Sequence, residues 1–258
     1  MKKSLRKVVK TILSKYSKLL ILKHRIKFIT IFGNYNQDVA VEGIYSILKD
    51  NGVKTSRNYV DFEKDIDVSY FIITDKENFT FFGFLYLLIK YPITLFSKKY
   101  DDKVIILNLS TFNPGVVKYY SEFIHSDIFL LLDVTKKSVI YEDQIMKDSQ
   151  KEAIVIIDGD TSSRKMITFD FNKKILSFGT NPSNDIMYKT SASKIDITYN
   201  ENHIEIHNNF KNIDPRILIA CLLTSISYGI SFHNAVSSLE KFYMPNRDFQ
   251  KVFEKFMK

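Results

Sequence analysis

Short runs of β-branched and aromatic residues alternate with helical stretches along the first two-thirds of this chain. Ile26–Phe32 ends at Gly33, and a helical stretch, Val39–Leu48, follows it. The Asn51-Gly52 turn leads to Val53–Val60, and Val68–Ile73, Val104–Leu109, Ile128–Asp133 and Ile154–Asp158 read as further strands. Phe79–Phe96, Pro114–Ile124 and Tyr141–Lys151 read as the helices between them. Such alternation predicts an α/β fold, a mostly parallel sheet flanked by helices. A smaller β-rich segment follows around 160–210, with short strands at Met166–Phe171, Ile175–Phe178, Ile195–Tyr199 and His203–His207. Two helices close the chain, roughly 214–228 and 232–242, with Gly229 as the stop between them.

Of the 258 residues, 45% are hydrophobic, enough for a substantial core, so global disorder is excluded. The single cysteine, Cys221, rules out a disulfide framework and sits in an apolar run that reads as core. A reducing, cytoplasmic compartment fits that usage. The charge is segregated. Residues 1–27 hold ten of the 37 Lys and Arg and no acidic residue, which leaves 27 basic against 29 acidic residues for the rest. The body is near neutral, and nucleic acid is not an expected partner.

Leu5, Val8, Val9, Ile12, Leu13, Tyr16, Leu19 and Leu20 form the stripe of an amphipathic helix with lysines on its other face. Residues 1–25 are therefore read as a separable basic helix, which either lies on an anionic membrane at the inner face or docks on its own domain. Its lysines interrupt every apolar run, so it is not a signal peptide. Phe79–Phe96 is apolar over 18 residues, but Lys90 and Pro92 interrupt it between two strands. It is expected to be a buried or groove-forming helix rather than a membrane span.

The order of these pieces resembles the central, ATP-binding domain of the Mur ligases, the amide ligases of peptidoglycan precursor synthesis, in particular the branch that adds D-alanyl-D-alanine. Phe28–Ala40 (FITIFGNYNQDVA) stands where the family has strand, P-loop and helix. Asn51-Gly52-Val53 with Arg57-Asn58-Tyr59 resembles the stretch that follows. Val104–Lys118 resembles the strand, acidic residue and "RPG" turn, and Ser126–Val134 the next strand. Ala153–Asp160 (AIVIIDGD) resembles "VLNADD", Lys174–Asn184 the "FG" strand and turn, and Tyr228–Ser231 the end of "ALGIS". Met244–Arg247 stands at the "PGR"-like motif. The resemblance covers about residues 20–247, so 26–247 is read as the central-like domain and 248–258 as a tail. The family's two end domains, for UDP-sugar substrate and incoming amine, have no room in this sequence.

What the resemblance implies for chemistry is altered at several positions. A P-loop wraps backbone N–H groups around phosphate, with a Lys for the β/γ charge and a Ser/Thr hydroxyl for Mg²⁺. The family's G-[TS]-x-G-K-[ST] corresponds here to Gly33-Asn34-Tyr35-Asn36-Gln37-Asp38. The second glycine is Asn36, the lysine is Gln37 and the hydroxyl is Asp38, while the family's acidic magnesium ligand corresponds to Asn108. Asp158, Asp160 and Arg247 match the family's pattern and are the other candidate nucleotide contacts; each also reads as an ordinary strand-end or turn residue. Asp38 alone is a candidate metal ligand, through its oxygens.

The expected function is a non-catalytic Mur ligase-like protein with a degenerate nucleotide site, acting as a binding or scaffold partner of another protein. No cofactor is expected. The rival reading is a divergent ATP-dependent ligase, using ATP and Mg²⁺ and completed by a partner subunit. His203, Glu205 and His207 alternate on one strand face with metal-ligand spacing, and a solvated hairpin face is the expected reading there.

Overall fold

The computed structural model describes residues 3–33, 36–58, 65–76, 79–109, 124–132, 152–161, 174–207 and 213–243. The Ile26–Phe32 run forms β1 (Lys27–Phe32), buried on both faces from Phe28 onward. β-branched and aromatic residues without polar alternation make a strand that helices must cover on both sides. Parallel neighbours flank it, β3 (Val104–Leu109) on one side and β4 (Ile128–Leu131) on the other. β2 (Thr55–Arg57) pairs with the far side of β3. Beyond β4 come β5 (Ile154–Asp158), β6 (Lys174–Gly179) and β7 (Ile186–Thr190), all parallel, and then β8 (Lys194–Tyr199) and β9 (Asn202–His207) in antiparallel pairing. The nine described strands make one sheet in the order β2-β3-β1-β4-β5-β6-β7-β8-β9. The β-rich segment read after 160 is thus the far wing of the same sheet.

One sheet face packs on α2 (Gln37–Asp50), α5 (Pro215–Tyr228) and α6 (Phe232–Tyr243), with Ile29, Ile31, Ile106 and Leu130 meeting Ile44, Ile47, Leu218 and Leu222. The opposite face, built from Phe28, Phe32, Ile105, Phe129 and Val155, packs on α3 (Asp65–Thr74) and the end of α1 (Lys3–His24). Gly229 ends α5 in the left-handed region at φ 118°, and the N–H groups of Gly229 and Ile230 donate to Ile226 and Ser225. That is the stop read from the sequence. Cys221 is fully buried in α5, where burial pushes its thiol up to about 12, so it is an inert core residue.

Three readings of the sequence are corrected. Val68–Ile73 is not a strand but the body of α3, with Val68, Tyr70, Phe71, Ile72 and Ile73 all buried. A helix wedged between a sheet and two other helices is apolar all round, and so loses the periodicity that would reveal it. Of the strand read over Val53–Val60, Thr55–Arg57 forms a strand and Val53, Lys54 and Asn58 do not, while Tyr59 and Val60 lie outside the described residues. Phe79–Phe96 forms α4 (Phe81–Leu95), and of the two alternatives read for it the groove-forming one holds and the buried one does not: Phe84, Leu87, Tyr91 and Thr94 face inward, while a second apolar face lies in solvent. α4 also helps enclose a groove of about 340 Å³ against α3. The helices read at Pro114–Ile124 (all but Ile124) and Tyr141–Lys151, and the strand at Met166–Phe171, lie outside the described residues.

The basic helix docks on its own domain. Val9 and Leu13 of α1 join Tyr70, Ile73, Phe84, Leu87 and Tyr91 in a cluster with α3 and α4, and Leu20 enters the sheet core. Tyr16 stacks on Tyr91 with ring centroids 3.7 Å apart, and the Tyr91 hydroxyl donates to the Tyr16 carbonyl. His24 closes the end, its ring nitrogens meeting Asp101 Oδ1 at 2.5 Å and the Leu95 carbonyl at 2.8 Å.

Behind α3, Lys103 reaches Asp75 Oδ1 at 2.5 Å, and Lys99 reaches its other oxygen at 3.0 Å. Burial works to raise the Asp75 carboxyl, but the Lys103 charge and hydrogen bond outweigh it and hold the group below its ordinary value. For Lys103 the balance is reversed, and burial pulls its ammonium down despite Asp75. A carboxyl held low contributes stability that is present above its unfolded value and lost as pH falls through the folded one. Asp75 sits at φ 60°, a region asparagine tolerates, so Asp75→Asn removes the charge without backbone strain. With Lys103 only 3% exposed, urea unfolding of Asp75→Asn should show a loss of about 3–5 kcal/mol. A loss under about 1 kcal/mol would mean that water reaches Lys103.

Candidate functional site

In open α/β sheets, ligands bind beyond the C-terminal ends of the strands, where the chain turns from one side of the sheet to the other. Here that point is the end of β1, whose successors in sequence go to β3 on one side and β4 on the other. Gly33 lies there. A Cβ at Gly33 would stand 2.1 Å from the Leu132 carbonyl oxygen at the end of β4, so only glycine fits.

α2 opens just beyond. Its N-cap, Asn36, adopts φ 57° and ψ 21°, the left-handed conformation, and its side chain makes no capping bond. Asparagine is among the few non-glycine residues that enter this region without large strain. The backbone turn that a second glycine would serve is therefore made by Asn36. Gln37 follows, and its buried Nε2 has no hydrogen-bond partner among the described residues. Asp38 lies in the first turn of α2, where the positive end of the helix dipole favours a carboxylate.

Asp38 is tied to β3. Asn108 Nδ2 donates to Asp38 Oδ1 at 2.9 Å, joining the two positions that the resemblance assigns to magnesium. Asn108 is itself clamped by Asn58, which accepts from the Asn108 N–H at 2.8 Å and donates to its carbonyl at 3.1 Å. Asn108 Oδ1 is buried and without a partner among the described residues. An orphan donor and an orphan acceptor thus flank one carboxylate, and each such orphan carries a cost of about 1–3 kcal/mol.

At the end of β5, burial raises the Asp158 carboxyl, while the Asp160 N–H donates to it. Arg216, in the first turn of α5, lies 3.8 Å from Asp158 and is held more closely by Asp214 at 2.5 Å. Asp160 is built into a turn: it accepts from the Thr180 N–H and hydroxyl, from Asn181 and from Asn184 Nδ2. Although burial works the other way, these donors hold its carboxyl far below the ordinary range. Arg57, at the end of β2, pairs with buried Glu42 at 2.6 Å and covers the Tyr45 ring.

Fold comparison identifies the arrangement. No family model matches the sequence, and no curated protein matches it. A MurF from Acinetobacter baumannii superposes with a TM-score of 0.63 at 12% identity, covering 90% of this chain and 49% of that one. The chain has the fold of a Mur ligase domain. A MurF from Thermotoga maritima in complex with ADP gives 0.63 at 13% identity over 88% of this chain and 51% of that one. A pseudomurein peptide ligase type C from Methanothermus fervidus gives 0.59 at 10% identity, over 86% of this chain and 50% of that one. The chain spans about half the length of these Mur ligases.

Within this Mur ligase fold, Gly33, Asn36, Gln37 and Asp38 lie between the end of β1 and the first turn of α2, and Asn108 on β3 reaches Asp38. Asp158 and Asp160 stand at the end of β5, two strands away from β1. Asn34, Tyr35 and Arg247 lie outside the described residues. The sequence reading named Asn58 only within the resemblance and missed its role as the clamp on Asn108. It missed Arg216 too, whose signal is its place two residues after the helix-capping Asp214. His203, Glu205 and His207 are exposed on β9, with Glu205 paired to Lys194 at 2.6 Å. Among the described residues no cluster of metal-ligating side chains occurs.

Proposed function

We propose that this Mur ligase-like domain has a degenerate nucleotide site and serves as a binding or scaffold partner of another protein, tied to cell-wall precursor synthesis. The observation that carries the reading is the Asp38 carboxylate, held by Asn108 in the first turn of α2. A polyphosphate at that helix end needs cations and N–H donors. Positions 33–38 hold no Lys or Arg, and among the described residues the arginines at this edge of the sheet, Arg57 and Arg216, are paired with Glu42 and Asp214. The residues present do not fit ATP, so no ligation step is assigned to them. The reading places the chain in the cytoplasm, in contact with the inner face of the membrane.

Purified protein should show no ATPase activity, and millimolar ATP with Mg²⁺ should raise its melting temperature by less than about 1 °C. A ligand at 100 times its Kd adds about 2.7 kcal/mol, a shift of several degrees. One observation favours a second reading. Asp38 and the unpartnered Asn108 Oδ1 are two oxygens of the kind Mg²⁺ takes, which suits a divergent ligase completed by a partner subunit. A clear ATP·Mg²⁺ shift that disappears in Asp38→Ala would establish that reading and remove the first.

A further inference from the structure

α4 is apolar on two faces, and only one has a partner among the described residues. Phe84, Leu87 and Tyr91 face α1 and α3, while Phe82, Leu85, Tyr86, Ile89, Ile93 and Phe96 follow one another at helical spacing on the outside. Phe82 and Ile89 are 84% and 81% exposed, and Ile93 and Phe96 are 70% and 74% exposed. A contiguous outward stripe of this size marks a docking surface rather than scattered surface apolarity.

Charge decides what docks there. Residues 1–27 and 79–100 contain thirteen Lys and Arg and no Asp or Glu, and taking these from the 37 basic residues leaves 24 against 29 acidic ones elsewhere. α1 and α4 lie side by side, with Tyr16 on Tyr91 and Lys23 Nζ 3.3 Å from the centre of the Phe96 ring. Lys23 therefore borders the apolar stripe at its C-terminal end, and Lys7 and Lys15 are exposed along the same helix, with exposed Arg25 just after it. Lys76, Lys90 and Lys99 line the groove between α3 and α4 beside it.

We propose that the outward face of α4, bordered by the lysines of α1, rests on an anionic phospholipid bilayer. This deepens the membrane contact proposed above and is independent of the nucleotide-site reading. Val9, Leu13 and Leu20 of α1 are committed to the protein interior while Val8, Leu19 and Leu22 are exposed, so α1 supplies charge with a little apolar surface and α4 supplies most of the side chains that enter the headgroup layer. No described helix is long and apolar enough to cross a membrane, and α4 lies in the plane of the surface. Basic residues beside an apolar face gain from anionic lipid and lose with salt.

Flotation of the full chain with vesicles tests this. The chain should float with vesicles containing about 30% phosphatidylglycerol and stay behind with phosphatidylcholine alone, and salt should release it. The double variant F82E/I89E changes two exposed side chains, so its melting temperature should match that of the wild type while partitioning falls about tenfold or more. K15E/K23E should fall by a similar factor, and it carries the test should F82E/I89E prove unstable. Equal binding to neutral and anionic vesicles, or no binding to either, overturns the proposal. So does a dimer in solution that F82E/I89E splits, which would assign the face to a second copy of this chain. ATP binding is measured separately and moves with none of these variants.

Discussion

A chain that starts at residue 26 is expected not to fold, although the charge pattern marks the preceding helix as separable. α1 contributes Val9, Leu13 and Leu20, all fully buried, and fully burying such side chains is worth about 1.5–3 kcal/mol each. Removing them costs roughly 5–9 kcal/mol before the uncovered partners are counted, and Tyr70, Ile73, Phe84, Leu87 and Tyr91 would then face water. Domains of this kind are stable by about 5–15 kcal/mol, so the loss consumes most or all of the margin. The contact of His24 with Leu95 and Asp101 goes as well. Expressed from residue 26, the chain should be insoluble, or soluble without a cooperative thermal transition. A soluble truncation melting within a few degrees of the full chain would show that α1 is an appendage and that its docking contributes little.

The reason the charge pattern misleads here is physical. Seven Lys and Arg along α1 say what its charged side avoids, whereas the fate of the apolar stripe depends on whether α3 and α4 offer a surface for it. That surface was hidden because α3 was legible only as a strand: VSYFII carries no period, since every side of it is buried. The central strands were legible because Ile26–Phe32, Val104–Leu109 and Ile154–Asp158 are too short and too β-branched for anything else. β7 was not legible: Ile186–Thr190 has two exposed residues and follows a turn made by Asp160 and Asn184.

The candidate site was legible as a set of positions and not as a network. Gly33, Asn36, Gln37, Asp38 and Asn108 could be placed by order and spacing, and the fold joins Asp38 to Asn108. What no spacing reveals is that Asn58, fifty residues from Asn108 in sequence, fixes the Asn108 backbone by two hydrogen bonds and so aims its amide at Asp38. The conformation of Asn36 was equally hidden. Loss of the second glycine reads as loss of the loop, yet Asn36 holds the left-handed geometry itself. The altered residues therefore change the chemistry of the cradle more than its backbone.

That separation of backbone from chemistry makes the largest functional prediction. If the turn at Asn36 is intact and only charge excludes phosphate, then the double substitution Gln37→Lys with Asp38→Ser should create nucleotide binding where the proposed reading expects none of the wild type. Lysine at 37 supplies a charge-assisted contact worth about 1.5–3 kcal/mol. Serine at 38 removes a carboxylate from the helix end, worth about 0.3–1 kcal/mol for the dipole alone and more for its repulsion of phosphate. Together these amount to roughly 2–4 kcal/mol, or about one and a half to three orders of magnitude in Kd. The change also replaces Gln37, whose buried Nε2 lacks a partner, so the fold loses nothing it was using there. Asn108 would lose its Asp38 acceptor, which the serine hydroxyl can replace through one hydrogen bond. Titration calorimetry with ADP should give no heat for the wild type and a measurable affinity for the double variant. A double variant that keeps the wild-type melting temperature yet stays silent toward ADP would mean that the loop backbone, not the charge at 37 and 38, excludes the nucleotide, and the argument from Asp38 would fall.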